Sequence, residues 1–190
     1  MSSFVPVPEW FTEFVDKSSA DSPENFMLDV KEWEDEGSRK LDEFKGTDFC
    51  HSVCSPVRIL KYFLYYEDYE KAIGGHPRLI APVVFSPQAE SGRGYCHGGS
   101  MCAVVDDAVG WLGFCCTGEV KPWVGFTVQV NTTLKKPIPV GSILKLKVWV
   151  DRVEGETGRK VWVKCSLEDA TDSNIVYCEG NGLFLKASPK

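Results

Sequence analysis

Residues 97–107 carry the strongest chemical signal in this sequence: a His-Gly-Gly turn followed by two adjacent acids in a largely apolar stretch. A carboxylate removed from water without a partner costs several kcal/mol, so packing alone would favour Ala or Leu at position 106. The backbone N–H groups at a helix start favour a negative charge. His97, Gly98 and Asp106 therefore predict a hydrolytic site that combines an anion-stabilising helix start with a buried acid.

Gly98 and Asp106 lie too far apart on one helix to act on the same substrate. Asp106 follows Gly98 by eight residues, a rise of about 12 Å along a helix. Two helices must therefore cooperate. If two copies pair through their sheets with antiparallel helices, Asp106 of one copy approaches Gly98 of the other. The spacing predicts a homodimer with two composite sites.

The elements that must position these residues follow from hydrophobic periodicity. An apolar helix is predicted from about Gly98 to Phe114. Strand-like runs cover residues 57–66, 79–85, 123–134, 143–153, 160–167 and 175–186. A helix that is apolar nearly all round must be covered on most sides. The predicted fold class is therefore α+β, with an antiparallel sheet of about six strands wrapped around a central helix.

Two strand details carry specific expectations. Pro82 predicts an edge position or a bulge for its strand, because proline cannot donate a ladder hydrogen bond. Strict alternation along residues 123–134 puts Phe126 and Val130 on one face, and Thr127 and Asn131 on the other.

The first 55 residues differ in character from the rest and predict a helical extension. One helix is expected after Pro8, and a second after Pro23 with Phe26 and Leu28 on it. Residues 56–190 are then expected to form the main domain. The acidic cluster of the extension, from Glu32 to Glu36, is most simply a solvated face.

Composition narrows the function classes. The chain has 190 residues, which fits one domain, and its net charge of −6 argues against a nucleic-acid partner. No apolar run reaches the roughly 20 residues that span a membrane, and residues 1–20 have the wrong charge for a signal or transit peptide, which favours a cytoplasmic location. The eight cysteines include no C-x-x-C pair, so reduced thiols are expected, and Cys50-His51-x-x-Cys54 is a weak metal pattern.

Several motifs, in this order and at these spacings, resemble those of a known family. They are His97-Gly98-Gly99, the acid nine positions after that His, Asp106-x-x-x-Gly110, and the run from Thr127 through Asn131 to Lys136-Pro137-Ile138-Pro139. This set is similar to that of the hotdog-fold acyl-CoA thioesterases of the PaaI-like branch, in particular the group of thioesterase superfamily members 4 and 5. The resemblance covers about residues 56–186.

The resemblance implies roles for individual residues. The N–H of Gly98 would hold the thioester carbonyl oxygen, and Asp106 would act as general base or as nucleophile. Thr127 would position the water, and His97 would help to bind the carbonyl. The remaining candidates for substrate contact are Gly99, Asp107, Asn131, Lys135 and Lys136. No metal or other cofactor is implied, and the partners implied are an acyl-CoA and a second copy of the chain, as a dimer or a dimer of dimers. Where many family members have an Asn before the His-Gly pair, residues 88–93 offer none.

Blander interpretations stand beside these roles. Asp106 could be a buried acid satisfied by partners, His97 a helix cap and Thr127 an ordinary strand residue.

The substrate suggests further contact residues. Basic side chains at the turns are candidates for binding the CoA phosphates: Lys135, Lys136, Arg152, Arg159 and Lys160. Aromatic side chains near the helix are candidates for lining an acyl tunnel: Trp111, Phe114, Trp123 and Phe126. A fatty or aromatic acyl-CoA is the expected substrate. The alternatives are an acyl chain on a carrier protein, a hotdog hydratase or dehydratase, and an interaction protein that uses its acidic N-terminal helices.

Overall fold

The structure, a computed structural model, describes residues 5–22, 24–28, 30, 48–67, 75–117, 124–155 and 157–187. Its helices are α1 (Glu9–Asp21), α2 (Asp48–His51) and α3 (Gly98–Cys115). Its strands are β1 (Phe26–Leu28), β2 (Val57–Ile59), β3 (Tyr62–Tyr65), β4 (Arg78–Phe85), β5 (Glu90–Gly92), β6 (Tyr95–Cys96), β7 (Gly125–Leu134), β8 (Ile143–Glu154), β9 (Lys160–Glu168) and β10 (Val176–Lys186).

One large antiparallel sheet surrounds α3, which confirms the predicted architecture. Its order is β1-β3-β4-β8-β9-β10-β7, with β2 also paired to β4, and β5 and β6 form a separate short ribbon. The sheet has eight strands in the described residues rather than about six, because the first predicted strand is divided into β2 and β3 and the extension adds β1. Ten of the residues of α3 are buried, as expected for a helix covered on most sides.

Glycines let α3 lie unusually close to β10. A Cβ at Gly113 would stand 2.1 Å from the ring of Phe184, and one at Gly180 would stand 2.4 Å from Val105. No side chain fits at either glycine, so the backbone of each element lies directly against a side chain of the other. This close contact fixes the height of α3 above the sheet.

Pro82 lies in the middle of the sheet, so the expectation of an edge or bulge is wrong. It pairs with Lys145 of β8 on one side of β4. On the other side the neighbouring strand is interrupted between Ile59 and Tyr62, and the carbonyl of Pro82 accepts from the N–H of Leu60. The missing N–H of proline thus falls at the break between β2 and β3, where the ladder loses little.

The N-terminal segment packs on the outer face of the sheet, away from α3. Phe11 of α1 is 1% exposed and forms a second apolar cluster with Phe63 and Ile80. The second predicted helix is wrong at residues 26–28, which form β1 and pair with β3. Pairing at a free sheet edge outweighs the helical periodicity there. Residues 31–47 lie outside the described residues, and the boundary at residue 55 stays a prediction.

The faces of β7 differ from strict alternation because of a bulge. The register with β10 shifts so that Gln129 opposes Leu183 while Thr127 opposes Phe184, which leaves Val128 unpaired. Thr127 therefore lies on the same side as Val130, which packs against the core under α3. The predicted grouping of Thr127 with Asn131 is wrong, since one extra residue reverses the alternation.

The contact between α3 and β10 leads to a stability prediction. We expect Gly113→Ala to lower the free energy of unfolding by about 1–3 kcal/mol, because the added methyl collides with the fully buried ring of Phe184. Gly92→Ala is the matched control, since a Cβ there meets nothing within 4 Å; its effect should stay within about 0.5 kcal/mol. Urea unfolding of the three proteins measures both values, and equal stability of the two variants would contradict the close contact.

Candidate active site

The start of α3 is built by His97 and two glycines. His97 is the N-cap residue, and its Nδ1 accepts a hydrogen bond from the N–H of Gly99 at 2.8 Å. A Cβ at Gly99 would stand 2.9 Å from that nitrogen, and one at Gly98 would stand 3.0 Å from Leu134. A side chain at position 99 would therefore crowd the capping nitrogen, whereas one at position 98 would require the exposed side chain of Leu134 to move. Gly98 is the first residue of α3, where a backbone N–H has no intrahelical acceptor.

Asp106 lies two turns further along α3, on the side that faces β7. Asp106 is exposed in the single chain, which differs from the buried acid that the sequence predicts, and it lines an open groove with a volume of about 690 Å³. The other lining residues come from α3 and β7: Gly99, Cys102, Ala103, Thr127, Val128, Gln129, Val130 and Thr132. The groove therefore contains the candidate acid and the candidate water-positioning hydroxyl, and it extends toward the helix start.

The environment of Asp106 makes it a stronger base than an ordinary aspartate. Burial, followed by the negative charge of Asp107, raises the pKa of Asp106 above 3.8. The hydroxyl of Thr127 acts in the opposite direction, since its hydrogen bond to the carboxylate lowers that pKa. Thr127 also lies over α3 at Gly110, where an added Cβ would stand 3.6 Å from its oxygen.

Asp107 points to the other side of α3 and does not line the groove. Its Oδ1 accepts from the Tyr62 hydroxyl at 2.9 Å, and both of its oxygens lie 3.2 Å from Nε2 of His51. Sequence reasoning did not anticipate these two partners. His51 drew attention only as part of a metal pattern, and no periodicity links residues 51, 62 and 107.

The structure does not bring the other predicted contact residues into the groove. Asn131 points outward from β7 and donates to the side chain of Asn181 at 3.0 Å. Lys135 pairs with Glu179 at 2.8 Å, and Lys136 is exposed beside it. Both lysines follow the end of β7 next to Leu134 and therefore lie nearer to Gly98 than to Asp106.

The remaining candidates are divided between core and surface. Trp111 and Phe114 are buried in the core with α3, whereas Phe126 is 56% exposed. Trp123 lies outside the described residues. Arg152 pairs with Asp151 and Glu154, and Arg159 donates to the carbonyl of Lys186, so both have partners within the chain.

The edge strand β7 exposes several apolar side chains. Phe126, Val128 and Leu134 are 56%, 46% and 51% exposed. β7 ends the strand order of the sheet, so one of its sides has no neighbouring strand in the described chain. An apolar, unpaired edge of ten residues is a ready surface for pairing with another strand.

The described ranges also bear on metal binding and on membrane insertion. In the described ranges, no group of three or more His, Cys, Asp or Glu side chains could hold a metal ion. None of the helices in these ranges is long and apolar enough to cross a membrane.

Comparison with known proteins gives relatives of one kind. No family model matches the chain. The acyl-coenzyme A thioesterase THEM4 of Bos taurus is 24% identical over 202 residues, which cover 98% of this chain and 78% of that protein. The acyl-coenzyme A thioesterase THEM5 of Mus musculus is 30% identical over 123 residues, or 63% of this chain and 46% of that protein.

A solved structure supports the architecture. Zebrafish thioesterase superfamily member 2 superposes with a TM-score of 0.56 at 16% identity, over 83% of this chain and 96% of that one. This likeness supports the sheet wrapped around α3. The chain therefore has the hotdog fold, and the resemblance predicted from its motifs is confirmed, since its sequence is similar to the acyl-CoA thioesterases THEM4 and THEM5.

Proposed function

We propose that this protein hydrolyses a fatty or aromatic acyl-CoA to the free acid and CoA, as a member of the PaaI-like branch. The observation that carries the proposal is the position of Asp106 in the groove beside Thr127, with a pKa raised by burial and by Asp107. The relatives named acyl-CoA thioesterases support the same reaction. A general base works best when its pKa approaches the working pH.

The reaction needs few groups. Asp106 removes a proton from a water molecule oriented by Thr127, and the water oxygen attacks the thioester carbonyl carbon. The resulting oxyanion accepts a hydrogen bond from the N–H of Gly98 at a helix start. The C–S bond then breaks and the CoA thiolate leaves without needing a strong acid. In the alternative pathway an oxygen of Asp106 attacks the carbonyl carbon, and the C–S bond breaks to release the CoA thiolate. Water then hydrolyses the anhydride to the free acid and the Asp106 carboxylate.

His97 has a definite place in this scheme. Its Nδ1 is occupied by the N–H of Gly99, so it acts on the carbonyl only through the opposite ring nitrogen. Its capping bond also holds the first turn of α3, which aims the N–H of Gly98. We therefore assign His97 first to the geometry of the oxyanion site.

A homodimer completes the proposed site. Gly98 and Asp106 are eight residues apart on α3, a rise of about 12 Å, so each carbonyl needs Gly98 of one copy and Asp106 of the other. The apolar edge of β7 supplies a surface through which two sheets could pair. Pairing there sets the two α3 helices side by side in antiparallel directions.

Asp106→Asn tests the central residue. We expect the rate of thiol release from acyl-CoAs to fall by at least about 100-fold, because the amide cannot accept the proton of water. Asp16→Asn is the matched control, since Asp16 is an exposed aspartate on α1. A panel of acyl-CoAs of different chain lengths, assayed with a thiol reagent, gives both rates. Full activity in the Asp106 variant would exclude this mechanism.

Thr127 leads to a pH prediction. Because Asp106 acts in its ionised form, hydrolysis should decline as the pH falls through its raised pKa, so the acid limb lies above pH 3.8. Thr127→Val removes the hydrogen bond that lowers that pKa, and the acid limb should move upward by about 0.5–1 unit. Thr127→Ser keeps the hydroxyl and should restore the limb. Profiles of kcat/KM against pH measure these shifts. Acid limbs at the same pH for the Val and Ser variants would contradict this role of the Thr127 hydroxyl.

The dimer is tested at the β7 edge. We expect Phe126→Lys to convert a dimer into monomers and to reduce hydrolysis by more than about tenfold, because a charged side chain would replace an exposed apolar one at the proposed contact, and Phe126 does not line the groove of Asp106. Val7→Lys, at an exposed apolar residue of the N-terminal segment, should change neither property. Light scattering after size exclusion reports the mass. An active monomeric variant would show that one chain suffices.

A further inference from the structure

A second polar cluster lies behind the groove, on the opposite side of α3. It joins three elements: His51 ends α2, Tyr62 begins β3, and Asp107 lies on α3. The Tyr62 hydroxyl donates to Asp107 at 2.9 Å, and Nε2 of His51 is 3.2 Å from each carboxylate oxygen. One acid therefore has two partners from distant parts of the chain.

The cluster is shielded from water. Tyr62 is fully buried, and the side chains of His51 and Asp107 are 11% and 19% exposed. The ring of His51 also contacts the ring of Trp111 edge-on at a centroid distance of 5.9 Å. Rings on both sides of the imidazole thus limit its rotation. Charges in such a site interact more strongly than on the surface.

Apart from Asp106, the other titratable groups around the cluster are thiols and a phenol whose pKa values lie above their usual range. Burial, followed by the charges of Asp107 and Asp106, raises the pKa of Cys50, and burial raises that of Cys165 to about 12 and that of Cys178 to about 11. Burial and Asp107 likewise raise the pKa of Tyr62, which stays a hydrogen-bond donor. Cys102 of α3 lies on the groove side, beside Asp106. Within the described residues, the imidazole of His51 and the hydroxyl of Tyr62 are the side-chain partners of the Asp107 carboxylate.

The cluster separates two acids that are adjacent in sequence. The charge of Asp107 already raises the pKa of Asp106. Without these partners, the Asp107 carboxylate would lie in a mostly buried position with no side-chain group to compensate its charge. Its two partners hold it where it cannot meet a substrate. They also offset part of its charge before that charge reaches Asp106.

We propose that His51 and Tyr62 are positioning residues for the reaction at Asp106: they hold Asp107 on the far side of α3 and share its charge, so that Asp106 alone faces the substrate. This inference rests on the proposed hydrolysis. It gives residues 48–51, which precede the predicted main domain, a part in the site. Neither positioning residue touches the substrate, so both act through Asp107.

If the charge of Asp107 is shared in this way, changes in the cluster should move the acid limb of the pH profile in defined directions. His51→Gln removes the imidazole that lies against both Asp107 oxygens, so more of the Asp107 charge acts on Asp106. Asp106 then holds its proton more tightly, and the acid limb of kcat/KM moves up by about 0.5–1 unit. Asp107→Asn removes the repulsion, so the limb moves down by a similar amount. In the Asp107→Asn background, His51→Gln should shift the limb by less than half as much as it does in the otherwise unchanged protein.

The test is a set of pH profiles on the full-length chain: unchanged, His51→Gln, Asp107→Asn, the double variant and Tyr62→Phe. His76→Gln is the matched control, since His76 is exposed at a distance from the cluster, and its limb should not move. Tyr62→Phe should shift the limb in the same direction as His51→Gln, by less than about half a unit. If His51→Gln does not fold, this milder variant and Asp107→Asn supply the two opposite shifts.

The outcomes distinguish this inference from the function on which it rests. Limbs that stay fixed, or that move in the same direction for His51→Gln and Asp107→Asn, overturn the positioning role while hydrolysis stands. If the cluster were purely structural, its variants would have lower unfolding temperatures but unchanged acid limbs of kcat/KM. Melting curves of the same variants measure the unfolding temperatures. An unchanged chain that releases no thiol from any acyl-CoA removes both the inference and the proposed function.

Discussion

α3 is apolar over most of its surface and also carries two adjacent carboxylates. The fold must therefore bury most of the helix and still give both carboxylates polar surroundings. The apolar surface requires a sheet on nearly every side, and glycines at 113 and 180 bring the backbone of β10 against it. The carboxylates require polar surroundings that a closed apolar core does not offer. Asp106 lies at the rim, beside the edge strand β7. Asp107 points inward, to a hydroxyl and an imidazole.

The parts of this arrangement that depend on local pattern could be predicted from the sequence. The helix predicted after His97 ends at Phe114, and α3 ends one residue later, at Cys115. Four strands follow it, as the alternation of apolar and polar residues indicates. The relation between Gly98 and Asp106 also needed only helical geometry, because the rise per residue is fixed. These features could be predicted because they depend only on residues that are close together in the sequence.

The parts that failed depend on contacts between distant residues. A bulge at Val128 turns Thr127 toward α3, and nothing in the alternation of residues 125–134 marks one residue as extra. Residues 26–28 form a strand because β3 offers a free edge, whereas their own spacing suits a helix. Pro82 is central because a neighbouring strand breaks beside it. In each case the partner, rather than the segment, determines the conformation.

In the proposed reaction, the two acids cannot exchange roles. Asp106 faces a groove that is open in the single chain, and its raised pKa reflects partial burial together with the neighbouring charge. Asp107 has both oxygens engaged and is mostly buried. A base must be reachable by water and must have an oxygen that is not already engaged by other side chains. Asp106 meets both conditions and Asp107 neither, because α3 directs consecutive side chains about 100° apart, one toward β7 and the other toward α2 and β3.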